Sequence, residues 1–198
     1  SLWRLLLAAL LQLAGLALAQ PAFDRLEQLA RQRYGAPGAE AVAAWKQTMG
    51  DATTLTEADQ VARINAFFNK RIHYDSDQTI WGQADYWATP LETLGRGAGD
   101  CEDFAIAKYA SLEALGVPRQ KLRLIYVRAQ IGGPRSGIVQ AHMVLGYYPE
   151  PGAEPLVLDS LLNEIQPASR RPDLIPIFSF NSEGLWVGGS APVADSSA

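Results

Sequence analysis

The hydrophobic pattern of this chain changes period near Pro118, and that change constrains the fold more than any other feature. Before it, apolar residues recur at helical spacing, as Phe23 and Leu26 do at the start of one such stretch. After it, apolar and polar residues alternate over residues 122–127 and 141–148. Helices followed by consecutive strands predict an α+β domain in which N-terminal helices pack on an antiparallel sheet.

Caps and glycines place the predicted elements more closely. One helix is expected to begin at Phe23 and to stop near Gly35. Three more helices and five strands are predicted at residues 37–49, 55–72, 101–116, 122–127, 141–148, 156–159, 177–180 and 185–187. The polar, aromatic segment 73–99 has no period of its own and is predicted to be a long functional loop.

Residues 1–19 have the pattern of a secretory signal peptide. Arg4 precedes an apolar run over residues 5–18, which closes on Ala17-Leu18-Ala19, a small-x-small cleavage site. The alternative is an uncleaved membrane anchor. The length of the run argues against it, because a bilayer span needs about 20 apolar residues, more than this run offers. We therefore predict an exported chain with one domain over residues 20–188 and a flexible tail over residues 189–198.

The composition restricts the chemistry of the domain. The formal net charge is −4 and no Lys/Arg cluster is present, which argues against nucleic-acid binding. The chain has a single cysteine, Cys101, which cannot form an internal disulfide in an exported protein. It is either an inert buried residue or a free thiol with a chemical role.

The surroundings of Cys101 favour the second reading. A glycine-rich turn with Gly97 and Gly99 leads directly into the helix that Cys101 begins. The dipole and free N–H groups of a helix N-terminus favour a thiolate. The predicted oxyanion hole uses the Cys101 N–H and a second donor, for which the Gln83 amide and the indoles of Trp81 and Trp87 are candidates.

Two further residues complete the order of parts that a thiol acyl-transfer enzyme needs. His142 lies downstream in an apolar strand, and Asp159 ends the next one. His142 would hold the thiolate and protonate the leaving amine, while Asp159 would orient the imidazole. Taken singly, they are also typical of a buried structural histidine and a strand-end cap. His142 shares a strand face with Val144, and we predict that this face meets the helices. His73, the other histidine of the chain, is the alternative candidate for the catalytic base.

Three acids flank the cysteine, namely Asp100, Glu102 and Asp103. Carboxylates at a helix start ordinarily cap the helix, yet beside a thiolate they raise its pKa. A bound hard cation such as Ca²⁺ would neutralise them, although no EF-hand pattern is present. Zinc is disfavoured because the chain has one cysteine and two distant histidines.

At these residues the chain resembles the bacterial transglutaminase-like cysteine proteinase family, the LapG-type periplasmic proteases. The similar stretches are DYWATPLETLGRGAGDCEDFAIAKYASLEALGV, KLRLIYV, AHMVLGYY, PLVLDSL and SFNSEGLW. The resemblance implies a papain/transglutaminase-like fold and a triad of Cys101, His142 and Asp159. It also implies calcium dependence, with Asp100 and Glu102 as ligands and Asp103 as a weaker third candidate.

The resemblance further implies a substrate and a regulator. Family members cut a large cell-surface adhesin near its N-terminus, often beside paired alanines, and so release cells from a biofilm. An inner-membrane receptor for cyclic di-GMP inhibits them. Ser160 departs from the family pattern, in which asparagine follows the catalytic aspartate. The alternatives are a transglutaminase-type acyl transferase with the same triad and a non-catalytic, calcium-stabilised binding module.

Overall fold

The computed structural model describes the backbone of residues 2–133, 136–187 and 194–195, and the side chains of residues 22–133 and 136–187. The side chains of the predicted signal peptide, and the predicted tail apart from residues 194–195, lie outside these described residues. Within the described part of the chain, no helix is long and apolar enough to cross a membrane.

Five α-helices and nine β-strands are assigned in the described residues. The helices are α1 (Leu2–Ala52), α2 (Glu57–Arg71), α3 (Asp77–Ile80), α4 (Pro90–Arg96) and α5 (Cys101–Ala114). The strands are β1 (His73–Tyr74), β2 (Ala98–Gly99), β3 (Leu122–Gln130), β4 (Val139–Tyr147), β5 (Leu156–Leu158), β6 (Gln166–Pro167), β7 (Leu174–Asn181), β8 (Gly184–Val187) and β9 (Ala194–Asp195). Apart from the two-residue strands β1 and β2, the predicted order of helices before strands is confirmed.

Local chemistry explains where the helices break and begin. Gly35 interrupts α1 with a φ of 72°, which is the stop predicted there, because this left-handed conformation is open to glycine at little steric cost. Thr56 caps α2, and its hydroxyl accepts a hydrogen bond from the Asp59 N–H at 3.3 Å. The third predicted helix is thereby confirmed.

The prediction of a long loop over residues 73–99 is wrong, since the segment contains β1, α3, α4 and β2. A capping box begins α4: Thr89 Oγ1 accepts from the Glu92 N–H, and Glu92 Oε2 accepts from the Thr89 N–H at 2.8 Å. Pro90 opens the helix and Gly97 ends it with a φ of 67°. Such end signals define a short helix even without an apolar period.

A seven-stranded sheet in the order β6-β5-β4-β3-β7-β8-β9 forms the second half of the domain. All its pairs are antiparallel, and β3 pairs with β4 along its whole length, from Leu122↔Tyr147 to Gln130↔Val139. The short β6 and β9 were not predicted. β5 pairs with β4 only as far as Leu145↔Leu158, so the remainder of that β4 edge is not covered by β5.

The main core lies between the helices and one face of the sheet. Phe68 and Leu112 from the helices meet Met143 and Leu145 from β4 in one buried cluster. The other face carries a smaller cluster of β-branched and small residues: Ile125, Val127, Ala129, Val144 and Val157. This arrangement confirms the predicted α+β class.

Candidate active site

A pair of short strands, β1 and β2, fixes the backbone that precedes Cys101. β1 and β2 run parallel, with Tyr74 opposite Gly99, so the backbone of residues 98–99 is fixed just before α5 starts. Cys101 is the first residue of that helix and is half-buried against the helix-side core. The predicted position of the thiol at a helix N-terminus is confirmed.

The contacts of the thiol raise its pKa. Burial is the largest cause, and Glu102 adds to it because its Oε2 accepts the hydrogen bond that Sγ donates at 2.9 Å. The Met143 backbone N–H also bonds to the sulfur and lowers the pKa, but by less. While no cation offsets the charge of the carboxylates, the neutral thiol is therefore favoured over the expected thiolate. The Tyr74 hydroxyl also lies against the sulfur, a contact that the sequence analysis missed.

His142 and Asp159 form a buried pair. His142 Nε2 lies 2.7 Å from Asp159 Oδ1, and neither side chain is exposed to solvent. The other ring nitrogen, Nδ1, is buried and has no hydrogen-bond partner among the described residues. The pair thus has the geometry of a base and the acid that orients it, with one ring nitrogen left for a reacting group.

Asp159 is held as a carboxylate by several donors. Arg171 Nη2 donates to its Oδ2 at 2.7 Å, and the Leu161 N–H donates to its Oδ1 at 3.0 Å. Burial alone would raise its pKa, but the bonds from His142, Leu161 and Arg171 outweigh burial and hold the pKa well below its usual range. Arg171 also bonds Asp173 at 2.7 Å. No motif in the sequence pointed to Arg171.

The predicted face of His142 is wrong. Met143 and Leu145 pack in the helix-side core, whereas Val144 belongs to the cluster on the opposite face. Because side chains alternate along a strand, His142 shares that opposite face with Val144. The thiol instead meets the strand backbone at Met143, the residue after His142, where β5 no longer covers β4. The thiol therefore contacts the strand that carries His142 from the helix side, while the imidazole lies on the opposite face of that strand.

The opposite face of the sheet opens next to this pair. His142 and Asp159 line a cavity of about 470 Å³. Its other walls come from the turn after β3, with Gly132, and from the segment after β5, with Leu161. Leu161 is 47% exposed, so an apolar side chain stands free at the rim. The cavity thus borders the buried pair on the sheet face that lies away from the helices.

The acids beside the thiol belong to a larger cluster than the sequence indicated. Two groups of three carboxylates have oxygens within 4.8 Å of one another: Asp77, Asp100 and Asp103, and Asp77, Asp85 and Glu102. Asp77 Oδ1 and Asp100 Oδ1 are buried without a partner in the described residues. Burial, followed by the charge of Glu102, raises the pKa of Asp100 to about 8. Asp77 and Asp85 lie far from Cys101 in sequence and were not predicted.

Asp103 has a structural role as well. It is fully buried, its Oδ1 accepts from the Ala88 N–H at 2.7 Å, and its Oδ2 accepts from the Asp100 N–H at 3.4 Å. Burial raises its pKa to about 6, with the two backbone bonds opposing that shift. Asp103 thus ties the preceding segment to the start of α5 while its oxygens remain part of the cluster.

The other predicted candidates lie elsewhere or remain untested. His73 alternates with Tyr74, whose hydroxyl meets the thiol, so the rival base faces away from it. The Trp81 ring packs on Tyr86, at 4.5 Å between centroids, and Trp87 stacks over a phenylalanine of β7. Gln83 is exposed. The second oxyanion donor stays a prediction.

Comparisons with known proteins give a family match and similar solved structures. The family described as "Bacterial transglutaminase-like cysteine proteinase BTLCP" matches residues 38–187. A solved structure of Legionella pneumophila LapG is 41% identical with a TM-score of 0.72, covering 84% of this chain and 87% of that chain. Its calcium-bound form is 39% identical with a TM-score of 0.74, covering 89% and 92%. An EGTA-treated form is 40% identical with a TM-score of 0.74, covering 88% and 90%. A comparison with curated proteins gives no match. The predicted transglutaminase-like fold class is confirmed.

Proposed function

Because this chain belongs to the bacterial transglutaminase-like cysteine proteinase family, we propose that it is a calcium-dependent cysteine endopeptidase with Cys101 as its nucleophile. The observation that carries the proposal is the buried pair of His142 and Asp159 at 2.7 Å. The His142 Nδ1 has no partner among the described residues, and the next residue of the strand, Met143, contacts the thiol through its backbone N–H. Asp159, held as a carboxylate, stabilises the imidazolium that the reaction requires.

In the proposed reaction, His142 accepts the thiol proton and Cys101 Sγ attacks the carbonyl carbon of a peptide bond. The tetrahedral oxyanion lies at the N-terminus of α5, where the Cys101 N–H is directed at the developing charge. His142 then gives its proton to the amide nitrogen, and the C–N bond breaks. Water, deprotonated by the same imidazole, hydrolyses the thioester and frees Cys101.

The acid cluster has the chemistry of a calcium site. All its donors are carboxylate oxygens, which Ca²⁺ prefers, and two of those oxygens are buried with no partner in the described residues. We assign Asp100, Glu102 and Asp103 as ligands, with Asp77 and Asp85 as further ones. Bound calcium would offset the negative charge that raises the pKa of the thiol. The calcium-bound and EGTA-treated forms of Legionella pneumophila LapG support this assignment.

We further propose that the enzyme acts in the periplasm, cuts the N-terminal region of a large cell-surface adhesin, and thereby controls biofilm attachment. Its regulator would be an inner-membrane receptor for cyclic di-GMP. The support is the signal-peptide pattern of residues 1–19 and the resemblance to LapG-type proteases. The cavity beside His142, with an exposed apolar rim, suits an extended peptide better than a small polar substrate.

Cleavage of an adhesin fragment tests the proposal. The chain, purified from the periplasm, is incubated with the N-terminal region of a large adhesin, in calcium and in EGTA. Cys101→Ala is the matched inactive variant, and thermal unfolding checks that it folds. Cutting by the wild-type chain in calcium alone is the expected result.

Other outcomes separate the alternatives. Cutting by Cys101→Ala would refute the nucleophile, and equal cutting in EGTA would refute calcium dependence. Incorporation of an added amine in place of cleavage would identify an acyl transferase, since amine and water compete for the same thioester. Substrate binding without turnover would identify a binding module.

A further inference from the structure

Lys108 is a fully buried lysine that the proposed reaction does not use. It lies on α5, about two turns after Cys101, and its residue exposure is 0%. Nζ donates to the main-chain oxygen of Asp159 at 3.1 Å and lies 5.6 Å from the ring centroid of Phe104. Lysine is almost never buried without a charged partner, and here the partner atom is a carbonyl. A buried ammonium costs stability, so its presence indicates a role other than packing.

A second donor reaches the same carbonyl from a different helix. Asn69 on α2 donates its Nδ2 to the Asp159 oxygen at 2.8 Å. This carbonyl follows β5, whose last ladder pair is Leu158↔Leu145, so the sheet does not fix it. Two helices therefore fix the main chain of Asp159, whose side chain contacts His142 and Arg171.

We propose that Lys108 and Asn69 are positioning residues that hold the main chain of Asp159 so that its carboxylate stays on His142. This inference rests on the proposed function. The side chain of Asp159 is short, so a shift of its peptide group moves the carboxylate almost equally. In catalytic sites a misplacement of about 1 Å can cost about a hundredfold in rate. Burial lowers the pKa of Lys108 to about 7, and the Asp159 carboxylate opposes that shift because it attracts the ammonium through space.

Asn65 offers a matched control for the experiment. It lies one turn before Asn69 on α2, is buried, and donates its Nδ2 to the Asn163 carbonyl at 3.0 Å. The bond has the same chemistry and secures the same segment, but it does not touch Asp159. Asn65→Ala should therefore lose about as much stability as Asn69→Ala without disturbing the His142 pair.

The test measures alkylation of Cys101 by iodoacetamide against pH, in calcium, with thermal unfolding of each variant. This readout needs no protein substrate. Lys108→Met and Asn69→Ala should slow alkylation at pH 7 about tenfold or more, because a misplaced imidazole no longer forms the thiolate pair. Lys108→Met should unfold at a temperature no lower than the wild type, since it removes a buried charge. Asn65→Ala should keep the wild-type pH profile.

Three results would overturn the inference. If alkylation slows in all three variants in proportion to lost thermal stability, the two residues have only a structural role. If Lys108→Met and Asn69→Ala both keep the wild-type profile while His142→Ala loses it, the catalytic pair stands and the positioning role is wrong. If His142→Ala also leaves the wild-type profile unchanged, the pair itself is wrong, and the proposed function fails with it.

Discussion

Calcium binding is expected to release a proton from Asp100, so that affinity increases with pH. Burial, together with the charges of the nearby Glu102 and Asp103, raises the pKa of Asp100 to about 8. One pH unit below its pKa a carboxyl is about 90% protonated, so at pH 7 the metal-free cluster holds about 0.9 proton there. A carboxylate must lose that proton before it can ligate a metal ion.

The size of the effect follows from this competition. Relative to a site in which Asp100 is ionised, protonation of this carboxyl alone should make the apparent calcium affinity about 11-fold weaker at pH 7 and about 100-fold weaker at pH 6. The factor at pH 7 corresponds to about 1.4 kcal/mol of binding free energy. Isothermal titration calorimetry in two buffers of different ionisation enthalpy measures the protons released. Asp100 should account for about 0.9 of these protons at pH 7 and about 0.1 at pH 9.

Two variants isolate the cause. Asp100→Asn should bind calcium more weakly and release almost no proton, because its amide does not titrate in this range. Asp24→Asn makes the same charge change at an exposed surface ion pair with Lys46, and it should behave like the wild type. An affinity that is equal at pH 6.5 and pH 8.5, with no difference between buffers, would refute the reasoning.

Three further substitutions test the rest of the structure. Asp159→Asn should lower the rate of cleavage by about 10³-fold or more, as a misoriented imidazole does, while KM changes little in steady-state assays. Arg171→Met should destabilise the fold by about 3 kcal/mol at pH 7, because it leaves a buried carboxylate short of a partner. The difference in unfolding free energy between the wild type and Arg171→Met should shrink below about pH 4 in denaturant titrations. The reason is that Asp159, whose pKa is lowered in the folded state, contributes stability only while it is ionised. Gly95→Ala should cost about 1–3 kcal/mol in the same titrations, because a Cβ there would overlap the Tyr34 ring.

Local signals account for most of what the sequence predicted of the fold. The start of α2 follows from the Thr56 cap and the stop in α1 from Gly35, since both depend only on neighbouring residues. The paired strands β3 and β4 follow from period-two alternation. The missed helix α4 was also locally encoded, by the Thr89–Glu92 capping box, but it is too short to show a period.

Features of the site that depend on tertiary packing could not be predicted. Alternation shows that His142 and Val144 share a face, but both faces of β3 and β4 carry buried apolar clusters, so no polarity marks which one meets the helices. Arg171 reaches Asp159 only because the segment after β6 folds back toward β5. Asp77 reaches Asp100 only because α3 lies beside β2, which no spacing encodes.

The position of the thiol and the acid cluster at the same helix start links their chemistry. With no cation to compensate them, Asp100 and Glu102 oppose ionisation of the sulfur, and Glu102 accepts its S–H bond at 2.9 Å. The same oxygens are the donors that a hard cation would occupy, so a cation and the thiol compete for Glu102. A free thiolate beside uncompensated carboxylates is electrostatically unfavourable, whereas one beside neutralised carboxylates gains from the helix N-terminus. Activity that depends on calcium is therefore what this arrangement predicts: the acids proposed to bind the ion are also the groups that suppress the nucleophile in its absence.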